Sequence, residues 1–413
     1  MTDARRVIRD LRELAALTSD DQGAQRVAWS PVWQRARVWF AEKLAAMGYQ
    51  AELDAAGNSW VTVPGRSRKT VILGSHLDSV PNGGWLDGAL GVLSALEALR
   101  VYGTRDLPVA LRLVDWADEE GRFAMSLLGS SAAAGRIDLD AARAARDRNG
   151  VTLVDALRDH GLNVDALPDA HHHLRSIDGR AYLELHIEQG PVLASLGAPA
   201  GAVVGTFGVE RHMLRFVGQA AHAGSTPLPL RRDAFLAAAQ TAVECREAAR
   251  RLAGGGAPVV CTTGFVSVQP NIPTAIAGAC EMSLDLRALD SSALAALLGE
   301  ARTAADVSAK AHRVSVEWRR LWHIEPRLFD ETLVRLCGEA VREETGQGPR
   351  LPSGPVHDAT EMAAQMPAVM LFAASPNGLS HCREEDTPDD VLEPAIRAYV
   401  RLVGKTIAHV ANL

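Results

Sequence analysis

Short apolar runs with no room for a wet face recur along this chain, and helical stretches separate them. Residues 70–74 (TVILG) and 109–115 (VALRLVD) are two such runs. A strand that is apolar on both sides must be covered on both sides. Residues 89–100, between them, carry helical spacing, and residues 181–187 (AYLELHI) and 368–373 (AVMLFA) read as further strands. Strands alternating with helices in this order specify an α/β unit on a mostly parallel sheet. Residues 3–18 and 31–47 read as amphipathic helices ahead of it, the second ending at Gly48, a suitable C-cap.

Between residues 211 and 323 the pattern changes. Strands are expected at 212–218, 258–268, 279–289 and 312–318, with helices at 233–252 and 291–310. In 279–289, Cys280, Met282, Leu284 and Leu286 alternate with other residues, the mark of a sheet with one wet face. The expectation is a small α+β insertion at 211–323 in a larger domain formed by 1–210 and 324–413. The histidine triplet at 171–173 reads as a solvated loop.

Composition removes several classes of function. The 413 residues are 47% apolar and 23% charged, which supports a large core. With 43 basic against 50 acidic residues the net charge is −7, and no basic stripe is present, so nucleic acid is not an expected partner. No apolar run approaches the roughly 20 residues of a membrane span. The first eighteen residues alternate charge and apolar side chains without the block of a signal peptide, so a cytoplasmic location is expected. Cys245, Cys261, Cys280, Cys337 and Cys382 are scattered and odd in number, which fits reduced thiols.

The densest chemical signal is residues 74–97, GSHLDSVPNGGWLDGALGVLSALE. His76 and Asp78 follow the strand at 70–74, and the carboxyl end of such a strand is where open α/β sheets place ligands. Asp87 precedes a helix across a Gly-rich turn. His76 and Asp87 can meet at one cation, with Asp78 orienting the imidazole; the competing reading is a polar loop in which Asp87 caps the helix. Asp115, Asp118, Glu119 and Glu120 crowd the end of the next strand, and like charges that close need a cation or protons. Glu119 and Glu120 are adjacent, so one can bind metal while the other serves as a base. His186 lies in LELHIEQGP (183–191) and His381 in NGLSHCREEDTP (377–388). Each alone has an ordinary structural reading. Together, His76, Asp87, Glu120, His186 and His381 make a mixed imidazole and carboxylate set suited to two Zn²⁺, Mn²⁺, Co²⁺ or Ni²⁺ ions.

The stretches GSHLDSVPNGGWLDGALGV, DEEGRF, ELHIEQGPVL, HAGSTPLPLRRDA, LDLR, SGPVHDA and NGLSH with EEDT resemble, in family order from residue 74 to 387, the hydantoinase/carbamoylase amidases. That family includes N-carbamoyl-L-amino acid amidohydrolases, β-ureidopropionases and allantoate amidohydrolases, within the two-metal aminopeptidases and deacylases. The resemblance implies that His76, Asp87 and His186 hold one ion and that Asp87, Glu120 and His381 hold the other, Asp87 bridging. It implies Glu119 as general base, Asp78 as the carboxylate behind the ligands, and His222 as a group that reaches across a homodimer to polarise the scissile carbonyl. Gln189, Arg287 and His357 are the implied substrate contacts, and 211–323 the implied dimerisation domain. The chain departs from the family at TAIAG (274–278), where Thr274 stands in place of a substrate-binding asparagine; Asn271, three positions earlier, is a candidate replacement.

These features lead to the expectation of a cytoplasmic metal-dependent amidohydrolase acting on a linear ureido (N-carbamoyl) C–N bond of a small carboxylate. Allantoate hydrolysis and dinuclear deacylase or aminopeptidase activity are the alternatives. A metal-binding scaffold without catalysis is a remote one, disfavoured by the intact Glu119 and His222.

Overall fold

A computed structural model describes residues 2–413, which form two compact units. The larger runs up to Val204 and again from Phe329 to Leu413, and the smaller spans Gly205–Leu328.

In the larger unit, α1 (Ala4–Thr18) and α2 (Pro31–Ala45) precede β1 (Ser59–Val63) and β2 (Ser67–His76). Asp3 and Ser30 cap the two helices by accepting main-chain N–H groups of Arg6 and Trp33. Next come α3 (Ala89–Tyr102), β3 (Val109–Trp116), β4 (Asp178–Ile187) and β5 (Ala200–Thr206). Strands β2, β3 and β4 run parallel, with β2 in the middle. Strand β1 adds antiparallel to β3. Helix α3 is buried on every face from Ala89 to Leu99, as a helix hydrophobic all round must be. The one carboxylate in it, Glu97, is fully buried and is satisfied by Arg6 and the N–H of Asp3.

The smaller unit contains β6 (Gly208–Val217), α4 (Ala234–Gly254), β7 (Val259–Thr262), β8 (Val266–Gln269), β9 (Ala279–Ala288), α5 (Ser291–His312) and β10 (Ser315–Ile324). All its strand pairings in this sheet are antiparallel, β7 and β8 both lying against β9. Cys280, Met282, Leu284 and Leu286 alternate into the core with the buried alanines of α4 and α5, as the period-two pattern requires.

The larger unit closes with α6 (Glu331–Thr345), β11 (Ala368–Ala373) and α7 (Asp389–Ala411). Strand β11 is parallel to β4 and antiparallel to β5. Four central parallel strands with antiparallel neighbours on both sides make a mixed sheet where the sequence reads as mostly parallel, because the doubly apolar runs mark the covered centre and not the antiparallel flanks.

One local expectation fails. Residues 171–173 are not a loop: Asp169–Ser176 is a helix entered from Pro168. His171 is within 2.9 Å of the Ala133 carbonyl and the His173 ring lies 5.1 Å from that of Trp60, so tertiary contacts hold a polar stretch in helical form. All five cysteines are free. Among the described residues no helix is long and apolar enough to cross a membrane.

Candidate metal centre

The parallel strands deliver chemistry at their carboxyl ends. His76 is the last residue of β2, and His186 is the next to last of β4. Residues 117–120 leave β3, and the segment after β11 carries His381. This is the edge at which open α/β sheets bind ligands.

Asp87 reaches the same place through a turn. The N-cap of α3 is Gly88 rather than Asp87, and no side chain caps that helix. The Asp87 carboxylate is therefore free of the capping role and points to the histidines. Gly88 has φ +63, and a Cβ there would lie 2.4 Å from the His76 ring. Both constraints demand glycine.

Three donor sets result; two of them share Asp87, and the third is Glu184, His186 and His357. Ligand atoms of His76, Asp87 and His186 lie within 4.8 Å of one another, as do those of Asp87, Glu120 and His381. Asp87 Oδ1 is 3.8 Å from His76 Nε2 and 3.0 Å from His186 Nε2. Its Oδ2 is 3.3 Å from His381 Nε2, and Glu120 Oε2 is 3.5 Å from that same nitrogen. Nε2 of His76 and Nε2 of His186 are buried and make no hydrogen bond. The Nδ1 atoms are occupied by main-chain carbonyls, of Asp78 at 3.1 Å and of Ile187 at 2.9 Å. Such contacts fix the tautomer that leaves Nε2 a lone pair for a metal. Orphaned buried imidazole nitrogens around a shared carboxylate fit two divalent cations.

Electrostatics without ions agree. Burial, with the negative charges of Glu120, Asp358, Asp78 and Asp87, holds Glu119 well above the ordinary carboxylate range. Burial likewise raises Glu120, with Asp87 and Asp78 adding to it. Asp87 is held well below the usual value, because its contacts with His186 and His381 outweigh its burial. A carboxyl cluster split in this way is typical of functional sites. Glu119 Oε2 stands 3.7 Å from His76 Nε2, at the edge of the first donor set.

Asp78 departs from its expected task. Its carboxylate is 3.7 Å from His76 Nδ1, and its main-chain oxygen takes that contact instead. The carboxylate accepts the main-chain N–H groups of Glu119 at 3.3 Å and Glu120 at 3.1 Å. It orients the two glutamates rather than the imidazole.

Other expected residues fall as follows. Gln189 Nε2 donates to Asp87 Oδ2 at 2.9 Å and to Ser380 Oγ at 3.1 Å, so the amide sits at the rim of the donor sets. His357 is 2% exposed with its ring 4.4 Å from that of His186, which places it against that imidazole rather than on open surface. Within the smaller unit, Arg287 Nε donates to Asp285 Oδ1 at 2.8 Å, and Arg211 takes the other oxygen of that carboxylate. Asn271 is exposed beside a shallow cleft of about 400 Å³ that Phe235 and Ile272 also line. His222 is exposed, and its Nδ1 accepts the N–H groups of Gly224 and Ser225, both at 3.1 Å. In the neutral ring that leaves the proton on Nε2, ready to be donated. The strand pair Ala221–His222 and Ala275–Ile276 puts His222 opposite Ala275, next to Thr274.

Two further groups contribute beyond the expected residues. Glu385 accepts the N–H groups of Leu86 at 3.2 Å and Asp87 at 3.1 Å, fixing the ligand turn. Arg26 is fully buried against the 77–79 segment that carries Asp78. Glu385 stands in the EEDT stretch that carries part of the family resemblance, which does not reveal its contact with the 86–87 main chain, and Arg26 lies in an irregular segment with no periodicity.

The profile of peptidase family M20/M25/M40 matches residues 72–405. The chain is 35% identical to an N-carbamoyl-L-amino acid amidohydrolase of Geobacillus stearothermophilus, over 93% of this chain and 94% of that one. It is 32% identical to the allantoate amidohydrolase of Escherichia coli K12, over 88% of each. A crystal structure of a hydantoinase/carbamoylase family amidase from Burkholderia ambifaria superposes with TM-score 0.86 at 32% identity, covering 97% of both chains.

Proposed function

This chain belongs to the M20/M25/M40 peptidase family and is an amidohydrolase of that metal-dependent group; on that premise we propose that it cleaves the linear ureido C–N bond of an N-carbamoyl-L-amino acid. The observation that carries the reading is the pair of donor sets sharing Asp87, with Glu119 at their edge.

His76, Asp87 and His186 would hold one divalent ion, and Asp87, Glu120 and His381 the other. The mixed donor types allow Zn²⁺, Mn²⁺, Co²⁺ or Ni²⁺. When bound, such ions supply Lewis acidity to the carbonyl and lower the pKa of water. Glu119 takes a proton from the attacking water and later delivers it to the leaving nitrogen. Asp78 and Glu385 keep the Glu119–Glu120 and Leu86–Asp87 main chains in register for this work. His222, with its proton on Nε2, donates to the developing oxyanion. For a carbamoyl substrate, water addition yields the amino acid, ammonia and carbon dioxide.

We assign His222 to the partner's site in a homodimer formed by the smaller unit. Exposed Leu228, Leu230, Leu236 and Val243 in that unit support an apolar interface. Arg287 and Asn271 are the proposed contacts for the substrate carboxylate, with Gln189 and His357 at the metal end. The similarity to an allantoate amidohydrolase keeps allantoate as the second substrate to test. The cytoplasm is the proposed location.

The test measures ammonia release from N-carbamoyl-L-amino acids and allantoate, and amino acid release from N-acetyl amino acids and dipeptides, with each metal supplied to apoprotein. Turnover confined to ureido compounds, and abolished in Glu119→Gln, is expected. Preferential cleavage of dipeptides or N-acetyl amino acids would replace the ureido reading with a deacylase or peptidase.

A further inference from the structure

Arg26 lies outside every helix and strand of the larger unit, yet its exposure is 0%. Its N–H donates to Ser79 Oγ at 3.1 Å, its carbonyl accepts the Ser79 N–H at 3.0 Å, and its Nε donates to the Leu77 carbonyl at 2.8 Å. The residue is stapled to the segment that carries Asp78. Both Nη atoms are buried without a hydrogen bond, and among the described residues no carboxylate comes within 4.0 Å of the guanidinium.

A buried arginine ordinarily forks onto one carboxylate, because an unpaired charge in the interior is costly. Arg26 instead faces several at longer range. Burial acts most strongly on Arg26 and pulls its pKa down; the acids that oppose this are, in falling order, Glu385, Asp87, Asp78 and Glu120. Each of them builds the metal centre. Asp87 and Glu120 are proposed ligands, Asp78 holds the N–H groups of Glu119 and Glu120, and Glu385 holds those of Leu86 and Asp87. Arg26 places a positive charge near these carboxyl groups.

We propose that Arg26 is the resident counter-cation of this cluster, a positioning residue that offsets carboxylate repulsion in the apoprotein and thereby sets how tightly the ions are held. The proposal rests on the two-metal reading. Its sign follows from Coulomb's law. A buried cation is attracted by the carboxyl groups of the apoprotein, which the imidazoles of His186 and His381 beside Asp87 compensate only in part, and it repels entering divalent ions. Loss of Arg26 therefore destabilises the apoprotein more than the loaded protein, and by linkage the ions bind more tightly.

The experiment compares wild type, Arg26→Met and Arg26→Lys. Mn²⁺ binding to apoprotein is measured by calorimetry, and Tm is measured with and without Mn²⁺. In Arg26→Met the apoprotein Tm should fall further than the loaded Tm, and Mn²⁺ should bind about tenfold tighter, the scale of one nearby buried charge. Arg26→Lys keeps the charge and should stay near wild type. Equal Tm losses with unchanged affinity, or weaker Mn²⁺ binding in Arg26→Met, would overturn the proposal. If Arg26→Met does not fold metal-free, Mn²⁺ in the refolding buffer must restore it, and failure to do so also overturns the proposal. Wild-type protein that binds no Mn²⁺ would instead remove the two-metal reading, and this proposal with it.

Discussion

Asp78 accepts the main-chain N–H of Glu120 at 3.1 Å, and its other oxygen accepts that of Glu119 at 3.3 Å. One buried carboxylate thus aims both a proposed metal ligand and a proposed base. Asp78→Asn turns one acceptor into a donor that faces an N–H. Metal affinity should fall about 10–100-fold, the range for groups that orient ligands, and kcat should fall with metal saturating. Metal titration followed by steady-state kinetics at saturation separates the two effects. A loss confined to KM would contradict the assignment.

Gly88 should tolerate no side chain. Gly88→Ala adds strain at φ +63 and drives a methyl into the His76 ring. A stability loss of about 1–3 kcal/mol is expected from the backbone alone, with additional loss of metal. Chemical denaturation and metal analysis check it. Wild-type metal content in a normally stable variant would show that this turn is softer than described.

Metal removal should destabilise the chain. Burial and the neighbouring carboxylates push Glu119 and Glu120 well above the usual carboxylate range in the apoprotein, and any ion that binds only the folded state stabilises it by about 2.7 kcal/mol at a concentration of 100 Kd. Tm should drop on chelation and recover with Mn²⁺. A Tm indifferent to chelator would contradict the expectation.

His222→Ala should leave metal content unchanged and lower kcat about 10²–10³-fold, the usual effect of one oxyanion donor. Because His222 is proposed to act across a dimer, mixing His222→Ala with Glu119→Gln and allowing subunits to exchange should restore part of the activity. An inactive mixture, with exchange verified, would mean that His222 serves its own chain or no site.

The sequence made the architecture readable because strands such as β2 and β11 are apolar on both faces, a pattern only a covered sheet explains. His76, Asp87, Glu120, His186 and His381 were readable as a set because strand ends and Gly-rich turns announce where side chains converge. Asp78 was read as bound to the His76 ring, and the main-chain oxygen of the same residue takes that contact. Whether a carboxylate reaches a ring or a neighbouring main-chain N–H depends on a turn of a few residues, which spacing does not encode. Arg26, and the contact that Glu385 of EEDT makes with the 86–87 main chain, escape the sequence for a related reason, since their importance lies in three-dimensional charge and not in periodicity. The helix at Asp169–Ser176 was missed because contacts with Ala133 and Trp60 overrule a polar composition.

The central claim is that two ions share the carboxylate of Asp87, and counting bound metal tests it most directly. Wild-type protein reloaded with Mn²⁺ and freed of excess should retain two ions per chain, and Asp87→Ala should retain essentially none. Retention of one tightly held ion by Asp87→Ala, or a wild-type stoichiometry of one, would contradict the shared centre.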